Sequence, residues 1–333
     1  MIFGLAMAAL LASWGLTYVA LRYALRRGLL DHPGHRSSHQ RATPRGGGIG
    51  IVIGFLAGVA ILWLVGRLEA PLALSLLGGG AMVAFVGYRD DHRSLSPVVR
   101  LAAHFAAALW VVAILALWRP VLPWNSWLPG AWNPVLIVPA VIWMINLYNF
   151  MDGIDGLAAG EVITASLTMM AIAGAAGSMS PLLMLLAASA VGFLFWNWPP
   201  ARIFLGDVGS GFLGFVLAVI ALWSVTRGQA TLWQWGIVLA VFLVDASWTL
   251  SRRILGGQPF WRAHRSHAYQ IASRRWGSHL RITLAALAIN LGWLAPLAWA
   301  AGAFPSFGPI MLLLAWLPLG ATAYWLGAGN PDS

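Results

Sequence analysis

Long apolar stretches follow one another along almost the whole of this 333-residue chain. Hydrophobic residues make up 60% of the sequence and charged residues only 9%, and the mean hydropathy is +0.77. A soluble domain carries far more charge, whereas about 20 consecutive apolar residues suffice for a helix to cross a membrane. The sequence therefore predicts an all-α polytopic membrane protein, organised as a single integral-membrane domain over residues 1–333. About ten or eleven transmembrane helices are expected, and the apolar stretches lie at 2–21, 47–66, 70–88, 98–118, 134–150, 158–177, 181–197, 208–225, 235–251, 282–302 and 308–327.

Arginine supplies all twenty basic residues and sets the predicted orientation of the chain. Seventeen of them fall on loops or helix ends of one side, and only Arg67, Arg119 and Arg227 fall on the other. Because basic loops stay in the cytoplasm, we expect a periplasmic N-terminus and a cytoplasmic C-terminus. The chain is therefore predicted to be a multi-pass membrane protein. The net charge of +10 reflects this topology, so no nucleic-acid partner is expected.

Acidic and histidine residues collect on the side that carries the arginines. Six of the ten acidic residues and seven of the eight histidines lie in predicted cytoplasmic loops or at their helix junctions. Solubility alone would not require such segregation of the titratable groups. The active site is therefore predicted at the cytoplasmic face.

The segment 146–157 reads NLYNFMDGIDGL and closes an apolar stretch at the membrane edge. Asn146, Asn149, Asp152 and Asp155 recur at every third residue, and positions three apart share one face of a helix. The pattern predicts a helical stripe of amides and carboxylates, loosened by the two interleaved glycines. Paired carboxylates without a lysine beside them favour a cation, and oxygen ligands favour Mg²⁺. A helix end wetted by solvent is the simpler alternative.

Other carboxylates lie at or near the predicted cytoplasmic helix ends. Asp90 and Asp91 are adjacent, and their charges repel unless a cation or a proton relieves them, although an exposed loop is the alternative. Asp207 lies among glycines before an apolar stretch, where a helix N-cap would also explain it. Asp245 lies within an apolar stretch, and we expect Arg253 to pair with it.

Two basic loops supply candidate phosphate ligands. The first ends in the glycines of 46–48, and backbone amides at such a helix start, with Arg41 and Arg45 beside them, can hold a phosphate. A flexible loop before a helix is the alternative. The last loop, 252–281, places His264 and His267 among arginines, which are donors suited to a pyrophosphate.

Taken together, these residues resemble the polyprenyl-phosphate N-acetylhexosamine-1-phosphate transferase family. The resemblance is to its bacterial O-antigen-initiating branch, which shares a superfamily with phospho-N-acetylmuramoyl-pentapeptide transferase. It covers the chain from Asp31 to about His267, and the NxxNxxDGIDGL stretch is its most specific part. The paired-Asp loop, the LGD sequence before a glycine-rich helix and the last-loop histidines follow in matching order.

The resemblance implies transfer of N-acetylhexosamine 1-phosphate from a UDP-sugar to undecaprenyl phosphate, with release of UMP. The product would initiate O-antigen, lipopolysaccharide or related cell-envelope glycan synthesis. Mg²⁺ is the implied cofactor, with Mn²⁺ as a substitute. The implied partners are the UDP-N-acetylhexosamine donor, the undecaprenyl phosphate acceptor and membrane lipids, and a homodimer is left open.

The residue patterns and the resemblance together give three groups of candidate site residues. The catalytic candidates are Asp90, Asp91, Asp152 and Asp155. The metal-binding candidates are Asp207, Asp152 and Asp155. The substrate-binding candidates are Arg45, Asn146, Asn149, Arg253, His264, Arg265 and His267.

A cation- or proton-coupled secondary transporter is the alternative function. It would place ionisable groups near the bilayer midplane and broken helices in two repeats. Nearly all acidic residues instead lie at one predicted interface, and the sequence shows no inverted repeat. The transferase is therefore the preferred interpretation.

Overall fold

A computed structural model of the chain describes residues 1–34, 41–118, 133–174, 179–258 and 264–330. Helices account for most of these residues, with one small sheet. The first helices are α1 (Ile2–Arg27), α2 (Ile49–Leu64), α3 (Ala70–Leu74), α4 (Gly80–His92), α5 (Pro97–Trp118), α6 (Asn133–Met151), α7 (Leu157–Ala173) and α8 (Ser180–Asn197). The remaining helices are α9 (Asp207–Thr226), α10 (Leu232–Val238), α11 (Ala240–Leu255), α12 (Ala268–Trp276), α13 (His279–Ile289), α14 (Ala295–Ala303) and α15 (Gly308–Leu326). Short π-helical and 3₁₀ stretches lie at Ser75–Gly79, Asn290–Leu294 and Pro305–Phe307.

Seven helical segments of the described chain are long and apolar enough to cross a membrane. They are Ile2–Arg27, Ala70–His92, Pro97–Leu117, Ser180–Asn197, Asp207–Thr226, His279–Ala303 and Pro305–Leu326. Shorter apolar helices accompany them at Ile49–Leu64, Val135–Met151 and Leu157–Ala173. The predicted all-α polytopic membrane fold is confirmed, whereas the predicted orientation stays a prediction.

The predicted stretch 235–251 is divided into two helices, which the sequence pattern did not indicate. α10 starts at a capping box, in which Gln234 N donates to Thr231 Oγ1 at 3.2 Å and Thr231 N donates to Gln234 Oε1 at 2.7 Å. It ends at Val238, and α11 begins at Ala240. Each half is shorter than a bilayer-spanning helix.

α9 forms the centre of the fold. In its most apolar stretch 89% of the residues are buried, against 28% for α5 and 22% for α1. α4 and α6 pack along it, and the rings of Phe212 and Phe215 are completely buried there. The outer helices instead expose large apolar side chains such as Val98, Leu117 and Phe195, as a lipid-facing wall requires. The first residue of α9, Asp207, is thereby carried into the middle of the helix bundle.

The four-residue spacing of Gly50, Gly54 and Gly58 predicts a close helix-packing face, and the structure confirms it. A Cβ atom added at Gly50 would lie 2.6 Å from the Ser13 carbonyl oxygen of α1. One added at Gly54 would lie 3.0 Å from the Ala9 carbonyl oxygen, and one at Gly58 would meet a leucine of α8 at 2.8 Å. The glycines therefore allow α1 and α8 to approach the α2 backbone closely.

A two-stranded antiparallel sheet fastens the ends of the first loop. β1 (Leu30–Asp31) pairs with β2 (Thr43–Pro44). Phe204 N donates to the Pro44 carbonyl oxygen at 2.8 Å, which joins β2 to the segment before α9. This arrangement brings the residue after β2, Arg45, next to the start of α9.

Gly214 of α9 lies against the backbone of α6, and this contact yields a stability prediction. A Cβ atom at Gly214 would lie 2.2 Å from the Met144 carbonyl oxygen and 3.0 Å from Ile145 Cα. Because a helix backbone cannot move aside as a flexible side chain can, Gly214→Ala should separate α6 from α9 and lower the free energy of unfolding by about 1–3 kcal/mol. Thermal unfolding in detergent micelles measures the effect.

The matched control is Gly15→Ala in α1, since no atom lies within 4 Å of a Cβ added there. It should unfold at or slightly above the wild-type midpoint, because alanine favours helix over glycine. Equal unfolding midpoints for the two variants would contradict the packing.

Candidate active site

The central acidic segment is a turn rather than a continuous helix. α6 ends at Met151, and Asp152 to Gly156 leave the helical path before α7 begins. Gly156 has φ +76°, a left-handed conformation that glycine adopts without strain, and its N–H donates to Asn197 Oδ1 at 2.9 Å. The predicted helical stripe from Asn146 to Asp155 is therefore wrong beyond Met151. The chain leaves the helix after Met151, and the turn through Gly156 places both carboxylates in the lining of one cavity.

The two asparagines of α6 have different environments. Asn149 Nδ2 donates to Asp207 Oδ1 at 2.5 Å and to Ser210 Oγ at 3.2 Å, so it orients the first carboxylate of α9. Asn146 Nδ2 donates to the Ile142 carbonyl oxygen of its own helix at 2.7 Å. Asn149 lines the cavity and Asn146 does not, so the geometry favours only Asn149 as a site residue.

Asp91 caps α9 from a neighbouring helix. Its Oδ1 accepts a hydrogen bond from Asp207 N at 3.0 Å, and its Oδ2 accepts one from Val208 N at 3.1 Å. These are two of the otherwise unpaired amides at the helix start, where the helix dipole also favours a negative charge. Gly206 permits the contact, since its Cβ would lie 2.6 Å from Asp91 Oδ2. An N-cap therefore exists here, but Asp91 provides it and Asp207 does not.

Asp90 is separated from Asp91 although the two are adjacent in sequence. Its Oδ1 accepts from Leu95 N at 2.5 Å, and its Oδ2 accepts from Arg100 Nη1 at 3.0 Å. Consecutive helix residues face different directions, and Asp90 does not line the cavity. Arg100 Nη1 also lies 3.9 Å from Asp207 Oδ2, so it compensates charge at both carboxylates. Sequence reasoning used Arg100 only as a marker of topology and missed this role.

Asp155 is held by the start of α13. His279 Nδ1 lies 3.1 Å from Asp155 Oδ1, and Ala201 N donates to Asp155 Oδ2 at 3.0 Å. One turn along α13, Thr283 Oγ1 donates to the Asp155 carbonyl oxygen at 2.8 Å. Sequence reasoning missed His279, whose one signal is a histidine beside a helix-capping serine in the last basic loop.

One cavity of about 240 Å³ collects most of the candidate carboxylates. Its floor is the turn after α6, and its walls come from the first loop, the start of α9, the first turn of α12 and the start of α13. The lining residues used in the argument below are Arg45, Asp91, Asn149, Asp152, Asp155, Asp207, Gln270 and His279. Asp31, Asn197 and Phe204 also contribute.

Asp152 is the carboxylate that the surrounding protein neutralises least. Burial raises the pKa of its carboxyl group well above the ordinary value, and the charges of Asp207, Asp91 and Asp155 raise it further. No hydrogen bond within the described residues reaches this carboxylate. A cation in the cavity would relieve the repulsion that raises the pKa.

The cavity fits a cation that a substrate helps to hold. Among the described residues, no three Asp, Glu, His or Cys side chains converge into a closed metal cage. Mg²⁺, however, commonly takes only one or two protein carboxylates together with substrate phosphates and water. Asp152 and Asp207 are suited to this role, because both line the cavity and Asp207 is oriented by Asn149. Asp155 is less suited, since both of its carboxylate oxygens already have partners.

The first loop contributes an arginine rather than backbone amides. Gly47 N donates to the Phe204 carbonyl oxygen at 2.9 Å, and Gly48 N donates to the Leu205 carbonyl oxygen at 2.8 Å. The predicted phosphate site on these amides is therefore wrong, because they already have partners. Arg45 does line the cavity, and its buried Nε has no hydrogen-bond partner within the described residues. The guanidinium group therefore supplies the positive charge that the first loop brings to the cavity wall.

The last loop, 252–281, lines the cavity only through Gln270 and His279. Tyr269, beside Gln270, donates from Oη to the Phe150 carbonyl oxygen at 2.9 Å, two residues before Asp152. The last-loop substrate-binding candidates do not line the cavity; they are Arg253, His264, Arg265 and His267.

His264 is uncharged, although the sequence places it among arginines. Burial, the adjacent His267 and the charge of Arg253 lower the pKa of His264 to about 3, so it is neutral at pH 7. Its Nδ1 lies 3.0 Å from Ser266 Oγ, and its ring stacks on His267 with a centroid distance of 4.9 Å. His264 can therefore exchange hydrogen bonds with a phosphate but brings no charge to it.

Asp245 pairs with the last loop and not with Arg253. Its Oδ1 lies 3.2 Å from His267 Nδ1 and accepts from Ala268 N at 2.9 Å, while Oδ2 accepts from Tyr269 N at 2.9 Å. The expected Asp245–Arg253 pair is therefore wrong. The partners of this carboxylate are more than twenty residues away in sequence, because the first amides of α12 meet it.

Comparison with known proteins identifies the family. Residues 73–225 match the model of glycosyl transferase family 4. A probable undecaprenyl-phosphate N-acetylglucosaminyl 1-phosphate transferase from Bacillus subtilis is 30% identical over 76% of this chain and 72% of its own length. An undecaprenyl-phosphate alpha-N-acetylglucosaminyl 1-phosphate transferase from Yersinia pestis is 28% identical over 79% of this chain and 74% of its own length.

A phospho-N-acetylmuramoyl-pentapeptide-transferase from Moorella thermoacetica is 33% identical over 67% of this chain and 75% of its own length. The matched family segment includes the cavity carboxylates Asp91, Asp152, Asp155 and Asp207. These similarities confirm the resemblance found in the sequence motifs. The chain belongs to glycosyl transferase family 4, together with these sugar 1-phosphate transferases.

Proposed function

We propose that the protein transfers N-acetylglucosamine 1-phosphate from UDP-N-acetylglucosamine to undecaprenyl phosphate and releases UMP. The observation that carries the proposal is one cavity that Asp152, Asp207 and Arg45 all line. Two phosphate-bearing substrates must meet in this reaction, one from water and one from the membrane. A carboxylate pair for a divalent cation beside an arginine for a phosphate suits that requirement.

The choice of donor follows the names of the relatives. Those from B. subtilis and Y. pestis are named N-acetylglucosaminyl 1-phosphate transferases, whereas the M. thermoacetica relative is named a phospho-N-acetylmuramoyl-pentapeptide-transferase. The O-antigen-initiating branch, or a related cell-envelope glycan pathway, is the proposed setting. The proposed location is the inner membrane, with the cavity open to the cytoplasm, where the UDP-sugar is dissolved.

The proposed cofactor is Mg²⁺, held by Asp207 and Asp152. When bound, it would neutralise charge on the donor diphosphate and so stabilise the departing UMP. Asn149 fixes the Asp207 carboxylate in place through its 2.5 Å hydrogen bond. Asp91 holds the backbone that carries Asp207, so the ligand is oriented both at its side chain and at its main chain.

The remaining residues hold the phosphates and need not remove a proton. The acceptor phosphate has a second pKa of about 6 by analogy with phosphorylated side chains, so at neutral pH it is already mostly ionised. Asp90 and Asp91 are two of the catalytic candidates from the sequence, and either could in principle accept a proton. Asp90 instead accepts a hydrogen bond from Arg100, and Asp91 accepts hydrogen bonds from the amides of α9. We propose structural roles for these two carboxylates and a phosphate-binding role for Arg45.

One prediction of the proposed function concerns the metal ligands, Asp207 and Asp152. Asp207→Asn should lower the rate of UMP release by about 10²–10³-fold, because the substitution removes charge at the reacting phosphates. Asp152→Asn should cause a loss of similar size. The measurement uses purified protein in detergent with undecaprenyl phosphate, UDP-N-acetylglucosamine and Mg²⁺.

The matched control for these variants is Glu69→Gln, which removes one carboxylate from an exposed ion pair with Arg227, away from the cavity. It should release UMP at the wild-type rate. Wild-type rates for Asp207→Asn and Asp152→Asn would reject the assignment of this cavity as the reaction site.

A further prediction concerns the cation itself. Chelation by EDTA should abolish UMP release, and added Mg²⁺ or Mn²⁺ should restore it. Asn149→Ala should raise the Mg²⁺ concentration needed for half-maximal rate, since Asp207 then loses the group that orients it. Undiminished UMP release after exhaustive chelation would refute the metal proposal while leaving the transferase proposal intact.

A further inference from the structure

Asp245 is a buried carboxylate outside the cavity, and the proposed reaction has so far given it no role. It is 7% exposed and lies on α11. Besides its contacts with His267, Ala268 and Tyr269, its Oδ1 accepts from Thr249 Oγ1 at 3.1 Å. A buried carboxylate that gathers this many donors is costly to place within a membrane protein unless its position matters.

We propose that Asp245 is a positioning residue that sets the orientation and tautomer of His267 beside the phosphate-transfer site. With Nδ1 directed at Asp245 Oδ1, the Nδ1 proton is fixed there, and Nε2 is the ring nitrogen left for a hydrogen bond on the side away from Asp245. This inference rests on the proposed transferase function.

The surroundings of His267 restrict it to one orientation. The ring is 3% exposed and is stacked near Phe150 on one side and His264 on the other, with centroid distances of 6.0 and 4.9 Å. Stacking fixes the plane of the ring but does not choose which edge faces inward. The contact with Asp245 makes that choice, because only an edge bearing an N–H group matches a carboxylate.

The same carboxylate connects this histidine to the cavity. Asp245 accepts from the first two amides of α12, so it fixes where that helix begins. Tyr269 of the same turn donates to the Phe150 carbonyl oxygen, and Gln270 lines the cavity. A shift of the α12 start would therefore move His267 relative to the Asp152 turn.

Asp245→Asn keeps nearly the same volume but offers one acceptor oxygen in place of two. If the NH₂ group takes the place of Oδ1, it faces His267 Nδ1, which must then become the acceptor while the proton moves to Nε2; Ala268 N loses its acceptor as well. If the NH₂ group takes the place of Oδ2, His267 and Ala268 N keep their acceptor and only Tyr269 N loses one, so the start of α12 is disturbed instead. The first orientation changes the tautomer of His267, and the second changes the backbone that carries it.

The test is a double-mutant cycle on UMP release with Asp245→Asn, His267→Gln and the combined variant. We expect Asp245→Asn to lower kcat by about 10- to 100-fold with little change in the KM for the donor. The combined variant should be no slower than His267→Gln alone. The matched control is Thr249→Val, which removes one hydrogen bond from the same carboxylate without touching His267 and should keep kcat within about twofold.

The possible results are distinguishable. If wild-type protein releases no UMP, the proposed function fails before this inference is tested. If wild type is active and the losses from Asp245→Asn and His267→Gln multiply, Asp245 acts independently of His267 and the inference is overturned. If Asp245→Asn does not fold, the same cycle is run with Asp245→Glu. Coupling to His267 then supports the inference, and independence overturns it.

Discussion

The contact between the Asp91 carboxylate and the first two amides of α9 determines the geometry of the whole site. α9 is the most deeply buried apolar helix of the described chain, and its start would otherwise leave polar amides unpaired inside the bundle. Asp91 satisfies them at 3.0 and 3.1 Å and thereby fixes the position of Asp207, the first residue of that helix. Because α4 carries the carboxylate and α9 the amides, the two helices meet at one defined register.

This contact also divides the acidic residues into two groups. The carboxylates of the first group have protein partners. Asp90 binds Arg100, and Asp91 binds the first amides of α9. Asp155 binds His279 and the Ala201 amide. Asp152 has no such partner within the described residues, and Asp207 lines the cavity beside it although Asn149 and Arg100 also contact it. A membrane protein can keep so many carboxylates close together only if most have protein partners, and the remaining repulsion favours a cation.

The sequence predicts the fold class and four of the cavity carboxylates, Asp91, Asp152, Asp155 and Asp207, but not the different role of each. Hydropathy suffices for the helices, since each apolar stretch must satisfy its own backbone in lipid. The three-residue spacing from Asn146 to Asp155 identifies the right segment yet gives the wrong shape, because the helix ends at Met151 and a turn through Gly156 follows it. His279, Arg100 and the partner of Asp245 escape prediction, since each depends on contacts between residues far apart in sequence.

The central claim is that a phosphorus atom, and not a sugar alone, moves from the nucleotide to the lipid. The most direct measurement uses UDP-N-acetylglucosamine labelled with ³²P at the β-phosphate, together with purified protein, undecaprenyl phosphate and Mg²⁺. The label should appear in the lipid product, and the released nucleotide should be unlabelled UMP. Label retained in released UDP, with sugar alone on the lipid, would contradict the account.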